Sequence, residues 1–416
     1  MSTTATLADT AQVPRRLRAL VRRAERQHFT RMLALMAPSV VFVALFFVVP
    51  IALFLFRSVD NVEIPKYLPR TVAEIGQWHA GDLPPEPVFR ALAEDLIALK
   101  GQPEAAVLGR RLNYAVPGFR GLVTRTVRRL PDTVPHSAMD TLADIDARWL
   151  DTTYWATLKQ QSGRITDFYL LSAMDLQRGT DGAITTVDET QAIFLSLYGR
   201  TLYTSLGVTV ICLLIGYPVA AVMATAGPAA ANWLLMLVLV PFWTSLLVRT
   251  TAWVVLLQTE GLVNKVLIYL GVITEPLSLM FNTAGVFIAM VHVLLPYMIL
   301  PLYSVMKGVS LVHLRAASSL GAPPITVFRT VYLPLTIPGI AAGCTLVFVL
   351  SVGFYVTPAL VGGPGDQMIG YFIAYFTNSA VNWGLASALG ALLILVIAAI
   401  YLVLGKVVGF DKLKVR

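Results

Sequence analysis

Charged side chains are scarce in this sequence, and long apolar runs are abundant. Only 13% of the 416 residues are Asp, Glu, Lys or Arg, whereas 56% are hydrophobic. Soluble domains carry about 25% charged residues, so this composition excludes an ordinary soluble protein and indicates a polytopic membrane protein. The net charge of +8 is then typical of the excess of Lys and Arg in cytoplasmic segments, and we expect no nucleic-acid partner.

Cysteines and catalytic motifs are scarce as well. Cys212 and Cys344 are the only cysteines, and both lie inside apolar runs. The parts outside the membrane therefore have no disulfide framework, and no metal-ligand spacing occurs. The sequence contains no Gly-x4-Gly-Lys-Ser/Thr phosphate loop. We expect this chain to bind no cofactor and to hydrolyse no ATP itself.

Six runs almost free of charge are long enough to cross a bilayer, which takes about 20 residues in a helix. The runs are residues 32–56, 201–226, 233–257, 283–306, 337–360 and 386–404. Residues 262–273 are also apolar but too short to span, and we place them at the outer interface. The first run is longer than the apolar core of a signal peptide, so we expect it to be retained as transmembrane helix 1.

Basic residues predict the orientation of these spans. Residues 1–31 carry seven arginines against Asp9 and Glu25, and residues 411–416 are also basic. Because Lys and Arg are enriched on the cytoplasmic side, both ends are predicted to be cytoplasmic, as a basic arm and a short tail. The segment between the first two spans is then periplasmic.

Residues 57–199 differ abruptly in composition from the apolar runs. They hold most of the acidic residues of the chain, with nearly as many basic ones, which predicts a periplasmic insertion of domain size. Apolar residues at helical spacing predict helices over about 86–99, 119–130 and 139–160, and a turn followed by a short extended piece is predicted near residues 179–187. The carboxylates lack the spacing of a calcium site, so we expect a solvated, mainly helical cap.

A polar stretch, residues 307–335, separates the fourth and fifth spans. Residues 311–320 have helical spacing, Gly321 can end that helix, and the two prolines that follow prevent it from continuing. A second amphipathic turn leads into the Leu-Pro pair at 333–334. Taken alone, an Ala-Ala pair and a glycine at this spacing also fit an ordinary helix-turn between two spans.

The polar stretch resembles the cytoplasmic loop of bacterial ABC importer permeases. That loop has the pattern Glu-Ala-Ala, three residues, Gly, nine residues, Ile, one residue, Leu-Pro. The spacing is kept here by Ala316, Ala317, Gly321, Leu333 and Pro334, with Val331 in place of the Ile and Arg315 in place of the Glu. The resemblance implies that these residues dock into a cleft on an ATP-hydrolysing subunit, as a short helix lies in a groove. Because Arg315 stands in place of the Glu, only the polar contact that the Glu would make is in question, and the helix-turn shape is kept.

Further pieces resemble the spermidine/putrescine branch of these permeases, in order and in spacing. They are Arg200-Thr-Leu-Tyr-Thr-Ser-Leu, Leu247-Val-Arg249-Thr-Thr-Ala-Trp253, Pro296-Tyr-Met-Ile-Leu-Pro301, Pro334-Leu-Thr-Ile-Pro-Gly339 and Gly353-Phe-Tyr-Val-Thr-Pro358. The resemblance covers residues 32–56 and 200–410. It implies an all-α protein of the bacterial inner membrane, with six transmembrane helices and a permease core at 200–410. The insertion is not part of the resemblance.

The resemblance also implies the function and its partners. Two ABC ATPase subunits, which bind ATP and Mg, dock from the cytoplasm. A second permease subunit, expected to be a homologous different chain, shares the path in the lipid bilayer. A periplasmic solute-binding protein delivers a small polar solute of the polyamine type. The chain itself is then a transporter subunit and not an enzyme.

Polar and aromatic residues of the spans are candidates for the translocation pathway. They are Arg249, Trp253, His292, Tyr297, Phe354 and Tyr355. Arg249 is the only charged residue in the six spans as drawn, and a charge in lipid is costly, which favours a functional role. Structural roles stay open, since Arg249 can snorkel, His292 can make an interhelical bond and the aromatic rings can be packing.

The six spans contain no carboxylate, although a polyamine is a multiple cation that acidic groups bind best. Arg249 suits an anionic or zwitterionic solute instead, such as an opine, an amino acid or a phosphonate-like compound. A membrane-anchored periplasmic sensor would need a cytoplasmic signalling module, for which the inner segments are too short. A secondary transporter would usually have coupling carboxylates.

Overall fold

The computed structural model describes residue 32 and residues 35–78 and 82–408, with side chains as far as residue 403. The predicted basic arm and the tail at 411–416 lie outside these residues. The chain divides into two compact units, residues 1–56 and residues 57–416. The first unit contributes helix α1 (Leu35–Phe56), whose apolar side chains are exposed along its length. A helix that is apolar on every side is typical of a membrane span.

The segment that follows α1 folds into short helices and one hairpin. The helices are α2 (Glu63–Tyr67), α3 (Pro69–Ile75), α4 (Glu86–Ala98), α5 (Glu104–Asn113), α6 (Phe119–Arg129), α7 (Ala138–Ile145), α8 (Thr152–Gln160) and α9 (Phe168–Ser172). Strands β1 (Leu176–Arg178) and β2 (Ile184–Thr186) pair antiparallel. We call residues 57–193 the insertion; as described, it is mainly helical.

The helix predicted over residues 139–160 is interrupted, at Asp146 and at Asp151. Each carboxylate accepts the backbone N–H of the second residue after it, at 3.2 Å for Asp146 and 2.8 Å for Asp151. An acidic side chain in this position satisfies a free N–H at the start of a new turn. The two aspartates therefore restart the helix twice, which an apolar periodicity alone does not reveal.

The insertion has a hydrophobic core of its own, built on aromatic rings. Phe89, Trp149 and Trp155 are fully buried. The ring centroid of Trp155 lies 4.5 Å from that of Phe89 and 5.5 Å from that of Trp149. The indole N–H groups of both tryptophans are bonded, to the Thr126 hydroxyl and to the Trp149 carbonyl. Because buried aromatic surface is large and its polar atoms are satisfied, this core holds the insertion as a folded body.

The rest of the chain is dominated by long apolar helices. They and the short helices between them are α10 (Phe194–Thr225), α11 (Pro228–Leu239), α12 (Leu246–Leu256), α13 (Leu262–Tyr269), α14 (Thr283–Lys307), α15 (Leu311–Ser319), α16 (Pro324–Val352), α17 (Val356–Val361), α18 (Ile369–Asn378) and α19 (Trp383–Val408). Among the described residues, α1, α10, α14, α16 and α19 are each long and apolar enough to cross a membrane, and α11 with α12 makes a sixth span if the bent pair is counted as one.

The third predicted span, residues 233–257, is bent and not straight. A 3-10 turn, Val240–Trp243, follows α11, and the pair then meets α12 at 96°. Pro241 lies in this turn and has no N–H to continue a helix. The Ser245 hydroxyl accepts the N–H of Val248 at 3.2 Å, which begins α12 in a new direction.

Two other predicted span boundaries also differ from the structure. Helix α16 ends at Val352, and α17 is a separate short helix, so the predicted span does not continue to residue 360. Helix α10 begins at Phe194, which places Arg200 inside an apolar helix. The Arg200 guanidinium donates to the carbonyl of Gln367 at 3.3 Å. Arg249 is therefore not the only arginine within the long apolar helices.

Helices α10, α14 and α16 pack against each other at the centre of this helical part. A Cβ at Gly216 of α10 would lie 3.0 Å from Cγ of Met298, and one at Gly343 of α16 would lie 2.7 Å from its sulfur. Small residues at such crossings let helix backbones approach closely. Met298 of α14 is thus held between two glycines of its neighbours.

The insertion is bonded to the ends of the long helices. The Asp175 carboxylate accepts the N–H groups of Phe194 at 3.0 Å and Leu195 at 2.7 Å, at the start of α10. An acidic group here satisfies free N–H groups and the helix dipole. The Tyr114 hydroxyl donates to the carbonyl of Ala380 at 3.2 Å, just before α19. The insertion is therefore fixed to α10 and α19 at the same end of the bundle.

Candidate functional site

Helix α15 ends in a glycine turn made by local hydrogen bonds. Gly321 has φ of +82°, a left-handed conformation that glycine adopts without a steric cost. Its N–H donates to the carbonyl of Ser318 at 3.0 Å, and the N–H of Ala322 donates to that of Ala317 at 3.3 Å. This pair of bonds is the Schellman arrangement, which satisfies the last free carbonyls of a helix. We call residues 311–334 the docking turn.

The docking turn exposes several large apolar side chains. The exposed fractions are 68% for Val312, 89% for Leu320 and 71% for Ile325, whereas Val327 is only 8% exposed and anchors the turn. Neighbouring exposed apolar side chains mark an interaction surface, because they gain free energy when a partner covers them. The turn therefore has the shape and surface of a protein-binding element.

The structure places the predicted docking residues on both parts of this turn. Arg315 and Ala316 are exposed on α15 and Ala317 is half-buried. Leu333 is half-buried and Pro334 is exposed, one and two residues beyond a π-helical segment of α16, Phe328–Tyr332. The predicted residues thus lie on a helix, a turn and the start of a second helix that is continuous with a membrane-length span.

Three predicted pathway residues meet where α12 packs near α14. Arg249 and Trp253 lie four residues apart on α12 and so share a face. The indole Nε1 of Trp253 donates to Nδ1 of His292 on α14 at 3.0 Å. The structure therefore bonds Trp253 to His292 and places Arg249 one helical turn from Trp253 on α12. We call these three residues the α12–α14 cluster.

The Arg249 guanidinium is incompletely paired. Within the described part of the chain, its Nε is buried and has no hydrogen-bond partner. The long apolar helices contain further basic residues, Arg200, Lys307, Arg329 and Lys406, and no Asp or Glu. An unpaired buried donor costs about 1–3 kcal/mol. Arg249 therefore has free capacity to bind an acceptor that enters this region.

The other predicted aromatic residues lie apart from this cluster. The Tyr297 ring packs edge-on against Phe242, with centroids 5.0 Å apart. Phe354 is half-buried against the central helices, and Tyr355 next to it is 43% exposed. Both follow the end of α16, where the chain turns towards α17. Phe354 and Tyr355 thus belong to a bend, and Tyr297 of α14 packs against the 3-10 turn of the bent span.

Two threonines near this cluster form an interhelical hydrogen bond that the sequence did not predict. Thr250 of α12 and Thr357 of α17 are buried, and their hydroxyl oxygens lie 3.2 Å apart. Thr250 also donates to the carbonyl of Leu246. Threonines in apolar helices commonly bond their own backbone, so the sequence carries no signal for a bond across 107 residues.

The sequence of the helical part matches a known family. Residues 201–410 match the binding-protein-dependent transport system inner membrane component. This range contains the docking turn, the α12–α14 cluster and the central helices. The insertion lies outside it.

Proteins of known role are similar to about half of the chain. The chain is 38% identical over 207 residues to the spermidine/putrescine transport system permease protein PotB of Haemophilus influenzae, covering 49% of this chain and 72% of that protein. It is 36% identical over 222 residues to the PotB protein of Escherichia coli K12, covering 52% and 81%. A solved bacterial ABC transporter involved in import of the acidic polysaccharide alginate aligns with TM-score 0.41 and 18% identity, over 50% of this chain and 79% of that one. With half of its length matched to the family and most of each PotB protein covered, the chain belongs to the inner-membrane components of binding-protein-dependent transport systems.

Proposed function

We propose that this inner-membrane permease component carries a polyamine-type solute and that its docking turn binds an ABC ATPase subunit. The solute class is supported by the similarity to the two spermidine/putrescine permeases. The observation that carries the docking proposal is the exposed glycine turn that ends α15. It combines a fixed backbone, apolar side chains free to be covered and direct continuity with a membrane-length helix.

The proposed mechanism is alternating access driven by the ATPase. Closing of two ATPase subunits on ATP and Mg would push the docking turn. Helix α16 extends from Pro324 to Val352, over 29 residues that include the π-helical segment Phe328–Tyr332, so the push would reach its contacts with α10 and α14. One such contact joins the hydroxyls of Tyr217 and Thr336 at 3.0 Å. The bundle would then switch between inward-open and outward-open states.

The proposed orientation and partners follow from this assignment. The docking turn and both chain ends face the cytoplasm, and the insertion faces the periplasm, where a solute-binding protein delivers its load. A second permease subunit, a homologous different chain, completes the path. The insertion, bonded to α10 and α19, is placed to act as a lid or as a collar for the binding protein.

The docking proposal is tested with Gly321→Val. A β-branched residue is strained at positive φ, so the turn must change. Gly271→Val is the matched control, because Gly271 has φ of +68° and, as at Gly321, nothing lies within 4 Å of an added Cβ. Both variants are expressed with the ATPase and the partner permease, and the ATPase recovered with each is measured.

We expect Gly321→Val to lose most of the bound ATPase and Gly271→Val to keep it, with equal amounts of both chains in the membrane. Equal ATPase recovery with the two variants would contradict docking through this turn. Since the two substitutions impose similar strain, a difference between them reports the location and not the loss of folding.

A second solute class is favoured by the charges of the apolar helices. These helices hold arginines and no carboxylate, and Nε of Arg249 is unpaired. Such a site suits an anionic or zwitterionic solute such as an amino acid.

Uptake by the assembled transporter separates the two classes. With labelled spermidine as the solute, Arg249→Gln leaves uptake unchanged or raises it, because a repelling charge is removed. With labelled glutamate as the solute, the same change lowers uptake by about tenfold. Arg200→Gln is the control, since Arg200 is bonded to the Gln367 carbonyl.

A further inference from the structure

A cavity of about 330 Å³ lies where the insertion meets the start of α19. This volume is at the lower end of the range for small-ligand sites, about 300–1,000 Å³. Its charged lining residues are Arg57, Asp60, Glu63, Lys66, Arg110 and Arg111. Within the part of the chain that the structure describes, none of these six side chains forms an ion pair. The cavity therefore presents unpaired charges of both signs, with cations in excess.

Arg111 is the deepest of these cations. It is 2% exposed, and one of its terminal nitrogens donates to the side-chain oxygens of Asn61 at 3.0 Å and Gln161 at 2.8 Å. Its other terminal nitrogen, Nη1, is buried with no hydrogen-bond partner among the described residues. Neutral amide oxygens orient a guanidinium but do not cancel its charge, and a buried unpaired charge is costly. The site therefore favours an anionic group nearby.

A neighbouring aromatic ring stabilises the buried cation. The guanidinium carbon of Arg111 lies 4.7 Å from the ring centroid of Tyr169, a cation–π contact. Burial raises the pKa of Tyr169 to about 12, so its hydroxyl keeps its proton at neutral pH. Tyr169 also lines the cavity.

The cavity adjoins the first residues of a membrane-length helix. Trp383 and Gly384, the first residues of the membrane-length helix α19, form part of its wall. Arg57 directly follows the last residue of α1 in the chain. Trp and Tyr residues at helix ends are typical of the interface where lipid head groups lie. The ligands that reach this level most readily are therefore lipids.

One wall of the cavity is conformationally strained. Val381 has φ of +54°, a conformation that a β-branched residue rarely adopts. The Tyr114 hydroxyl is bonded to the carbonyls of Ala380 and Val381 and holds this turn in place. Strain of this kind persists where the surrounding structure fixes it, commonly at binding sites.

We propose that this cavity binds the head group of an amine-bearing phospholipid such as phosphatidylethanolamine. The phosphate lies against Arg110, Arg111 and Lys66, and the ammonium lies against Glu63 and Asp60. A bound lipid would attach the insertion to the membrane beside α19.

The test measures stabilisation of the full-length protein in detergent by added lipid, followed by tryptophan fluorescence during heating. The probes are phosphatidylethanolamine, phosphatidylglycerol and soluble phosphorylethanolamine. The variant is Lys66→Gln with Arg110→Gln, both at positions that are not fully buried. Arg128→Gln is the control, since Arg128 is exposed on α6 and does not line the cavity.

We expect phosphatidylethanolamine to stabilise the unmodified protein at a lower concentration than phosphatidylglycerol does. The double variant should need an about tenfold higher concentration of phosphatidylethanolamine for the same stabilisation. Arg128→Gln should need the same concentration as the unmodified protein. Glu63→Gln removes the preference for phosphatidylethanolamine over phosphatidylglycerol, which a purely structural role for Glu63 would not do.

Three results would overturn the proposal. The first is an equal lipid response from the double variant and Arg128→Gln. The second is a preference for phosphatidylglycerol in the unmodified protein. The third is stabilisation by soluble phosphorylethanolamine at the same concentration as the lipid, which would identify a free phosphate ester as the ligand. If the double variant does not fold, Arg110→Gln alone provides the same comparison.

Discussion

The indole of Trp253 donates its hydrogen bond to Nδ1 of His292 at 3.0 Å, across 39 residues of sequence. Because Nδ1 is the acceptor, the bonded imidazole is neutral and carries its proton on Nε2. The bond connects α12, the helix after the 96° bend, to α14 at the centre of the bundle. The hydrogen bond therefore holds the short helix α12 against the central helix α14.

Trp253→Phe tests whether this bond stabilises a working state of the permease. The change keeps an aromatic ring but removes the donor, so one part-buried acceptor on His292 loses its partner. Loss of this hydrogen bond should destabilise the working state by about 1 kcal/mol, and we therefore expect solute uptake by the assembled transporter to fall about fivefold.

Trp233→Phe is the control for this substitution, because Trp233 is 75% exposed on α11. It should leave uptake within about twofold, as surface substitutions usually do. Equal uptake by the two variants would assign Trp253 to packing alone.

Gly384→Ala tests the attachment of the insertion to α19. A Cβ at Gly384 would overlap the ring of Tyr169, and overpacking of this kind costs about 1–3 kcal/mol. We expect a lower thermal midpoint and faster proteolysis of the insertion. Adding Tyr169→Leu should restore part of the loss by making room.

Gly199→Ala is the matched control for Gly384→Ala. Gly199 is also helical, but nothing lies within 4 Å of an added Cβ. Replacing a helical glycine with alanine stabilises by about 0.5–1 kcal/mol, so its thermal midpoint should stay level or rise. A fall as large as that of Gly384→Ala would mean that the method does not report this contact.

Asp146 predicts a pH dependence of the stability of the insertion. The hydrogen bonds from Arg148 hold the pKa of the Asp146 carboxyl below its ordinary value of 3.8, and Arg125 adds a bond of 2.9 Å. A group whose pKa is lowered by folding stabilises the fold above its unfolded pKa, and this contribution is lost as pH falls through the folded value. Asp146→Asn should cost about 2 kcal/mol at pH 7 and progressively less below about pH 4.

Denaturant unfolding across this pH range checks the prediction. Asp188→Asn is the control, because Asp188 is exposed and its loss should be nearly neutral at every pH. A cost for Asp146→Asn that stays constant from pH 7 to pH 3 would contradict the assigned ion pairs.

Local chemistry is what made parts of this fold predictable. The long apolar runs follow directly from composition, because about 20 uncharged residues have few alternatives to a membrane helix. The end of α15 was predictable for a similar reason. Gly321 followed by two prolines permits a turn and forbids continuation, and the observed φ of +82° at Gly321 is the conformation that glycine supplies.

Features that depend on distant residues were not predictable. The bend before α12 lies in a stretch that is apolar on both sides, and the partner of Trp253, His292, is 39 residues away. Arg110 and Arg111 are identical neighbours in sequence, yet Arg111 is buried by Asn61 and Gln161, each 50 residues away. No local pattern separates the two arginines, since their environments are set by tertiary packing.

The most direct measurement is the accessibility of Ser318→Cys in a variant whose Cys212 and Cys344 are replaced by serine. Ser318 is exposed on the docking turn. The account predicts that a membrane-impermeant thiol reagent labels it only from the cytoplasmic side, and that assembly with the ATPase protects it. Labelling from the periplasmic side, or equal labelling with and without the ATPase, would contradict the proposal that this turn couples the permease to ATP hydrolysis.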